Sequence, residues 1–177
     1  MQLLTAILMV FFLTSYVQGG VESEKKVVRL HWYMHDTIYS GPNSSSIAVT
    51  GSSDFLNEIA NNLLGQIYVF DDPLTLGSSL TSEKFGRSQG TYFYVSREEI
   101  VGCVSYTVSI QTGKYNGSTL NIFGANPNSR VIKEYSIVGG TGDFLLGRGI
   151  LREEVVNLFG PFGASATVSH NATIYLD

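Results

Sequence analysis

From Val27 to the carboxyl end, runs dense in β-branched and aromatic residues are interrupted by short clusters of Gly, Pro, Asn, Asp and Ser. VVRLHWYMHDTIY is followed by the turn-forming GPNSSS, and the same rhythm continues through GQIYVF, DDPLT, GTYFYVS, GCVSYTVSIQTG, STLNIFGAN, KEYSIVGG and ASATVSHNATIYL. Runs of this kind are strands, because branched and aromatic side chains suit a half-buried pleated surface while Gly, Pro and Asn supply the turns. Their close spacing predicts an all-β fold, an antiparallel sandwich or barrel. One segment departs. In SSDFLNEIANNLLG the apolar residues Phe55, Leu56, Ile59, Ala60, Leu63 and Leu64 fall at helical spacing, which predicts a short helix or an irregular crossing.

The chain has 177 residues, enough for one domain with a substantial core. Residues 1–19, MQLLTAILMVFFLTSYVQG, carry no charge and place an apolar block before small and polar residues. That is the pattern of a secretory signal peptide, and the block from Leu3 to Leu13 is too short for a bilayer span of about 20 residues. The expected organisation is a signal peptide over 1–19, a flexible start over 20–26 and a single domain over 27–177. A secreted chain with Asn43-Ser-Ser, Asn116-Gly-Ser and Asn171-Ala-Thr offers three N-glycosylation acceptors. The sole cysteine, Cys103, excludes an intrachain disulfide and sits in the apolar run IVGCVSYTV, where a small buried hydrophobe is expected. The net charge of −4 comes without any basic stripe, which argues against a nucleic-acid partner. No membrane contact is expected once the signal is removed.

The glycine-rich VGGTGDFLLGRG at 138–149 invites a phosphate-cradle reading that its residues refuse. From Gly142 to Gly149 the P-loop spacing puts Arg148 in place of the phosphate lysine and Gly149 in place of the magnesium Ser/Thr, and Leu145 replaces the third glycine of a dinucleotide fingerprint. A tight turn, bulge or sharp strand bend is the better reading. His31 and His35 on a strand would stand about 13 Å apart, too far for one metal. With no GxSxG and no HExxH, neither a metal site nor a cofactor is expected.

Six motifs in order resemble the dirigent proteins of plants. They are Met34-His35-Asp36, similar to the family's F/M-H-D; the GPN at 41–43; Val69-Phe70-Asp71-Asp72-Pro73-Leu74-Thr75; Phe85-Gly86-Arg87-Ser88-Gln89-Gly90, similar to V-G-R-A-Q-G; Tyr115-Asn116-Gly117-Ser118-Thr119-Leu120; and the glycine run, similar to V-V-G-G-T-G-x-F…A-R-G. The resemblance implies an eight-stranded antiparallel β-barrel, a homotrimer, secretion to the apoplast with N-glycans, and no redox centre. It also implies that the glycine run is a bend between two strands of the wall. In the family's best-known activity, in lignan formation, a laccase or peroxidase makes phenoxy radicals and the barrel holds them so that they couple with regio- and stereocontrol, an effect of orientation alone. Similar family members guide a quinone methide through intramolecular cyclisation, a dehydration helped by an acid. A third reading is a binding barrel for phenolics or sugars in defence or the cell wall, so the sequence leaves open whether the protein is an enzyme.

Alternation along the first strand puts Leu30, Trp32, Met34 and Asp36 on one face and His31, Tyr33 and His35 on the other. Asp36 either holds the turn that follows or, as the resemblance implies, ends an apolar pocket where burial raises its pKa and leaves it an acid. Tyr92 matches a pocket tyrosine of the lignan-forming members. Asn126 and Lys133 stand where those members carry Asp and Arg, and Asn supplies no acidic proton while Lys lacks the planar fork. Those members also tend to carry a cysteine pair, so this chain resembles members outside the lignan-forming group. Met34, Trp32, Tyr39 and Tyr94 are further candidates for phenolic binding. Asp143 and Arg148 are second-rank candidates, for which a turn contact or ion pair is the alternative.

Overall fold

The computed structural model describes residues 26–38, 42–50, 63–160 and 165–176. The expected signal peptide, Tyr39 and most of the expected helix at 55–64 lie outside the described residues. Nine strands follow one another: β1 (Lys26–Thr37), β2 (Ser46–Ala48), β3 (Ile67–Thr75), β4 (Lys84–Tyr94), β5 (Val101–Ile110), β6 (Thr119–Pro127), β7 (Ile132–Thr141), β8 (Arg148–Phe159) and β9 (Ser165–Leu176). Every pairing is antiparallel, in the order β1-β9-β8-β7-β6-β5-β4-β3. Two residue pairs, Tyr33 with Thr75 and Met34 with Leu74, join β1 back to β3 and close the wall. The result is the expected eight-stranded barrel, with β2 lying outside the closed ring on the flank of β3. Closure leaves no long strand edge to recruit another chain.

The inner faces are those alternation predicts. Trp32 and Met34 of β1, Val104, Tyr106, Val108 and Ile110 of β5, and Ala172 and Ile174 of β9 are buried in one core. Trp32 is the largest wholly buried side chain, stacked on Phe85 at 5.2 Å between ring centres. His35 points outward and is still buried, because Thr75 and Thr167 cover it: its Nε2–H donates to Thr75 Oγ1 at 2.7 Å, and the Thr167 hydroxyl lies 3.4 Å from Nδ1.

Two local readings are corrected, while DDPLT is strand as expected, with Pro73 paired to Arg87 inside β3. Proline is tolerated there because its missing N–H falls on a side where β3 meets β1 over only two pairs and β2 over three. Ser46, the last residue of the turn cluster, opens β2, and β8 fills the stretch after the glycine run that composition alone did not single out. Cys103 is half-buried on the outer side of β5 rather than in the core. Burial pushes its thiol up, the direction opposite to activation.

The glycine run is a strand connection, as the resemblance implied. Gly142 takes a left-handed φ of 63° to open a single 3-10 turn over Gly142–Phe144, and β8 starts at Arg148. At Gly149 a Cβ would sit 1.9 Å from the Thr173 carbonyl oxygen of β9, so only glycine lets these two strands approach. A register shift on β6 between Asn121 and Ile122, opposite the Gly139–Ile137 stretch, adds the local bend that a closed sheet needs.

Candidate active site

One end of the barrel opens into a cavity of about 310 Å³. Its wall is built toward the carboxyl ends of β1, β4, β6 and β8 and the amino ends of β3, β5, β7 and β9, so all eight strands of the closed ring contribute to it. The barrel thereby fixes side chains on rigid elements, which holds a reacting geometry better than loops do. Aromatic rings form one side. Tyr92 stacks on Tyr68 at 4.7 Å, Phe70 packs edge-on to Tyr106 at 5.6 Å, and Tyr94 meets Tyr92 edge-on at 6.1 Å. Among the described residues, the hydroxyls of Tyr92 and Tyr106 have no hydrogen-bond partner. Burial pushes both phenols well above their ordinary range, and Tyr94 is pushed up to about 12 by burial and by the neighbouring Tyr68 and Asp36. All three remain neutral hydroxyls able to face a phenolic ligand.

Two carboxyl groups end the aromatic side. Asp36 keeps some surface open to the cavity and accepts a 3.0 Å hydrogen bond from the Ser46 hydroxyl. The serine cluster holds this corner: the Thr37 amide donates to Ser45 Oγ at 2.8 Å, and the Ser44 hydroxyl bonds the Thr37 carbonyl at 2.9 Å. Burial raises the Asp36 pKa to about 6 against the Ser46 bond, with the Glu153 charge adding to the rise. Asp72 on β3 is only 1% exposed, and its Oδ1 lacks a partner. Burial first, then the charge of Asp36, push Asp72 up to about 9 against a bond from Ser45. Raised by desolvation and by a neighbouring negative charge, Glu153 for Asp36 and Asp36 for Asp72, the two carboxyls hold protons where ordinary aspartates have lost them.

Opposite them, a charged row crosses three neighbouring strands. Lys133 of β7 is the register partner of Glu153 of β8, and Glu153 is the register partner of His170 of β9. Lys133 Nζ lies 3.4 Å from Glu153 Oε1, and His170 Nε2 donates to Glu153 Oε2 over 3.1 Å. Burial alone would raise Glu153, but the His170 bond and charge, Lys133 and the Tyr135 hydroxyl together hold its carboxyl below the ordinary value. His170 is wholly buried, edge-on to Trp32 at 5.5 Å, and does not line the cavity.

The sequence candidates divide accordingly. Met34, Asp36, Tyr92, Tyr94, Asn126 and Lys133 all line the cavity. Trp32 lies in the core beneath it, and Tyr39 is outside the described residues. Asp143 and Arg148 stand at the opposite end of the barrel. Asp143 Oδ2 accepts a 3.1 Å bond from the Ser118 hydroxyl, which in turn accepts from the Asp143 amide, while Arg148 is exposed. Asn43, Asn116 and Asn171 are all exposed. Asp72, Tyr106, Glu153 and His170 were not singled out from the sequence. Period-two counting was the available signal: Tyr68, Phe70, Asp72 and Leu74 share one face, as do Leu151, Glu153 and Val155.

Comparison with known proteins agrees with this geometry. Dirigent protein 21 of Arabidopsis thaliana is 33% identical over 85% of this chain and 77% of its own length. Pterocarpan synthase 1 of Glycyrrhiza echinata is 39% identical over 71% of this chain and 66% of its own. The solved structure of the pterocarpan synthase dirigent protein GePTS1 superposes with a TM-score of 0.76 at 32% identity, covering 88% of each chain. A family model described as Dirigent-like protein matches residues 27–175, the whole barrel, and this chain belongs to the dirigent family.

Proposed function

We propose that the protein gives stereocontrol to phenylpropanoid coupling: it binds phenoxy radicals, made by a separate laccase or peroxidase, so that they join in one orientation. The observation that carries this reading is the set of neutral hydrogen-bonding groups on the aromatic wall, Tyr92, Tyr106 and protonated Asp72, inside a rigid cavity. Such groups hold phenolic and methoxyl oxygens at fixed points while the rings pack on Tyr92 and Phe70, so that one ring face is presented for bond formation. The test is chiral chromatography of the dimers formed from coniferyl alcohol and laccase, with and without the mature protein. Enantiomeric excess only in its presence supports the reading, and a racemate in both tubes removes this substrate.

The acid pair favours a second reading, a cyclase working without an oxidase. Asp36, with its pKa raised to about 6, would give its proton to a departing substrate hydroxyl, which leaves as water and generates a quinone methide still protonated on its oxygen. An internal phenol oxygen then closes the ring and returns its proton to the Asp36 carboxylate. The likeness to a pterocarpan synthase in both sequence and structure supports this alternative, and turnover in an oxidase-free assay would decide for it.

The remaining features of this reading are secretion to the apoplast, glycans on Asn43, Asn116 and Asn171, and a homotrimer. An apolar stripe on the outer faces of β6 to β8 supports the trimer, with Phe123 49% and Ile132 56% exposed beside Val138 and Ile150. Light scattering of the purified protein would give the trimer mass if that stripe is an interface.

A further inference from the structure

Glu153 lines the cavity, yet neither bond formation nor proton transfer uses it. The described residues lining that cavity carry four ionisable acid or base side chains besides the tyrosines: Asp36 on β1, Asp72 on β3, Glu153 on β8 and Lys133 on β7. Lys133 is the sole cation among them. Its side chain is 10% exposed and its Nζ lies 3.4 Å from Glu153 Oε1, whose own side chain is 9% exposed. Glu153 cannot turn away from this contact, because His170, wholly buried behind it on β9, holds Oε2 at 3.1 Å. One carboxylate therefore takes up the only positive charge that the described residues turn toward a ligand.

Resting on the phenolic-binding reading above, we infer that Glu153 is a specificity-determining residue: by pairing with Lys133 it makes the cavity admit neutral phenolic alcohols and reject phenolic carboxylates. A ligand carboxylate in this cavity meets Asp36 and Glu153 with no free cation to receive it, and its own dehydration is uncompensated. A hydroxymethyl group in its place needs one hydrogen-bond partner, which Asn126 or the Lys133 ammonium provides from the same wall. Replacing Glu153 by Gln keeps the side chain's shape and leaves Lys133 with an unpaired charge facing the cavity. Specificity of this kind comes from a repulsive element as much as an attractive one.

The experiment is calorimetric titration of the purified full mature chain with coniferyl alcohol and with ferulate at pH 7, a pair that differs only in the hydroxymethyl and carboxylate ends. Wild type should bind the alcohol at least about tenfold more tightly than the carboxylate. E153Q should bring the two affinities together or invert them, a shift of at least about tenfold in their ratio, since removing one near charge and exposing another acts twice on the same ligand group. In the double variant E153Q/K133M the gain for ferulate should vanish, which separates a charge effect from a change of shape. Should E153Q fail to fold, K133M alone answers: it leaves Glu153 held by His170 with its charge unpaired, so ferulate binding should weaken more than that of the alcohol and the ratio should move further toward the alcohol. Equal wild-type affinities, or a ratio unmoved in E153Q, overturn the inference and leave phenolic binding standing. Absence of binding by either ligand overturns both.

Discussion

Asp72 makes the fold sensitive to pH in a window where few other groups act. Burial and the Asp36 charge push its carboxyl up to about 9, against about 3.9 in an unfolded chain. A carboxyl whose folded pKa is raised contributes stability that is complete below the unfolded value and is lost as pH rises through the folded value. Between pH 6.5 and 8.5 the folded chain keeps a proton at Asp72 that the unfolded chain has released, so stability falls by about 1.4 kcal/mol per pH unit. Over the window this is about 3 kcal/mol, or roughly 6–10 °C in melting temperature for a domain of this size. The other shifted groups stay out of the way. Asp36 has completed its change near pH 6, and His35, lowered by burial, acts with the opposite sign below its ordinary value of 6.5. Asp72→Asn keeps the shape and an acceptor for Ser45 while removing the titration. Melting curves of both proteins from pH 6.5 to 8.5 should show a falling line for wild type and a nearly flat one for the variant, which is the more stable of the two at pH 8.5. Parallel lines, or a variant less stable at pH 8.5, would refute the assignment of a raised pKa to Asp72.

Other consequences are open to direct measurement. Asp36→Asn should cost at least about 100-fold in turnover if the protein cyclises a quinone-methide precursor, and should lower enantiomeric excess without slowing dimer formation if it steers radicals; unchanged rate and handedness would remove Asp36 from the site. In the cyclase case the rate should also fall about tenfold per pH unit above about 6, as the Asp36 proton is lost, which a pH–rate profile reads directly. Gly149→Ala should abolish or severely reduce soluble folded protein, because its Cβ would meet the Thr173 carbonyl at 1.9 Å, whereas Gly113→Ala, with nothing within 4 Å but a φ of 69°, should cost only about 1–2 kcal/mol of strain in chemical denaturation. Trp32→Ala empties the barrel centre beside Phe85 and His170 and should cost about 3–5 kcal/mol by the same assay.

How far the residues could be read in advance depended on the range of the interactions involved. The alternation of Trp32, Met34 and Asp36 against His31, Tyr33 and His35 is a property of one strand, and it placed the first strand's inner face correctly. What lets Pro73 stand inside β3 is the thin pairing of β3 with β1 and β2, which no local pattern reports. Asp143 and Arg148 flank glycines in the same motif that carries family resemblance, and only the direction of the strands shows that their turn lies at the end away from the cavity.

By itself, the sequence determined what short-range physics controls: branched and aromatic runs that must extend, glycines and serines that must turn, and an order of motifs that marks the dirigent family. The tertiary structure alone decided which carboxylates share a cavity. Lys133, Glu153 and His170 are separated along the chain by other residues and strand turns, and become a row only through the register of β7, β8 and β9. Asp36 likewise raises the Asp72 carboxyl only once the barrel closes around them. Desolvation and Coulomb forces act through space, and closure of the sheet, rather than order along the chain, sets those distances.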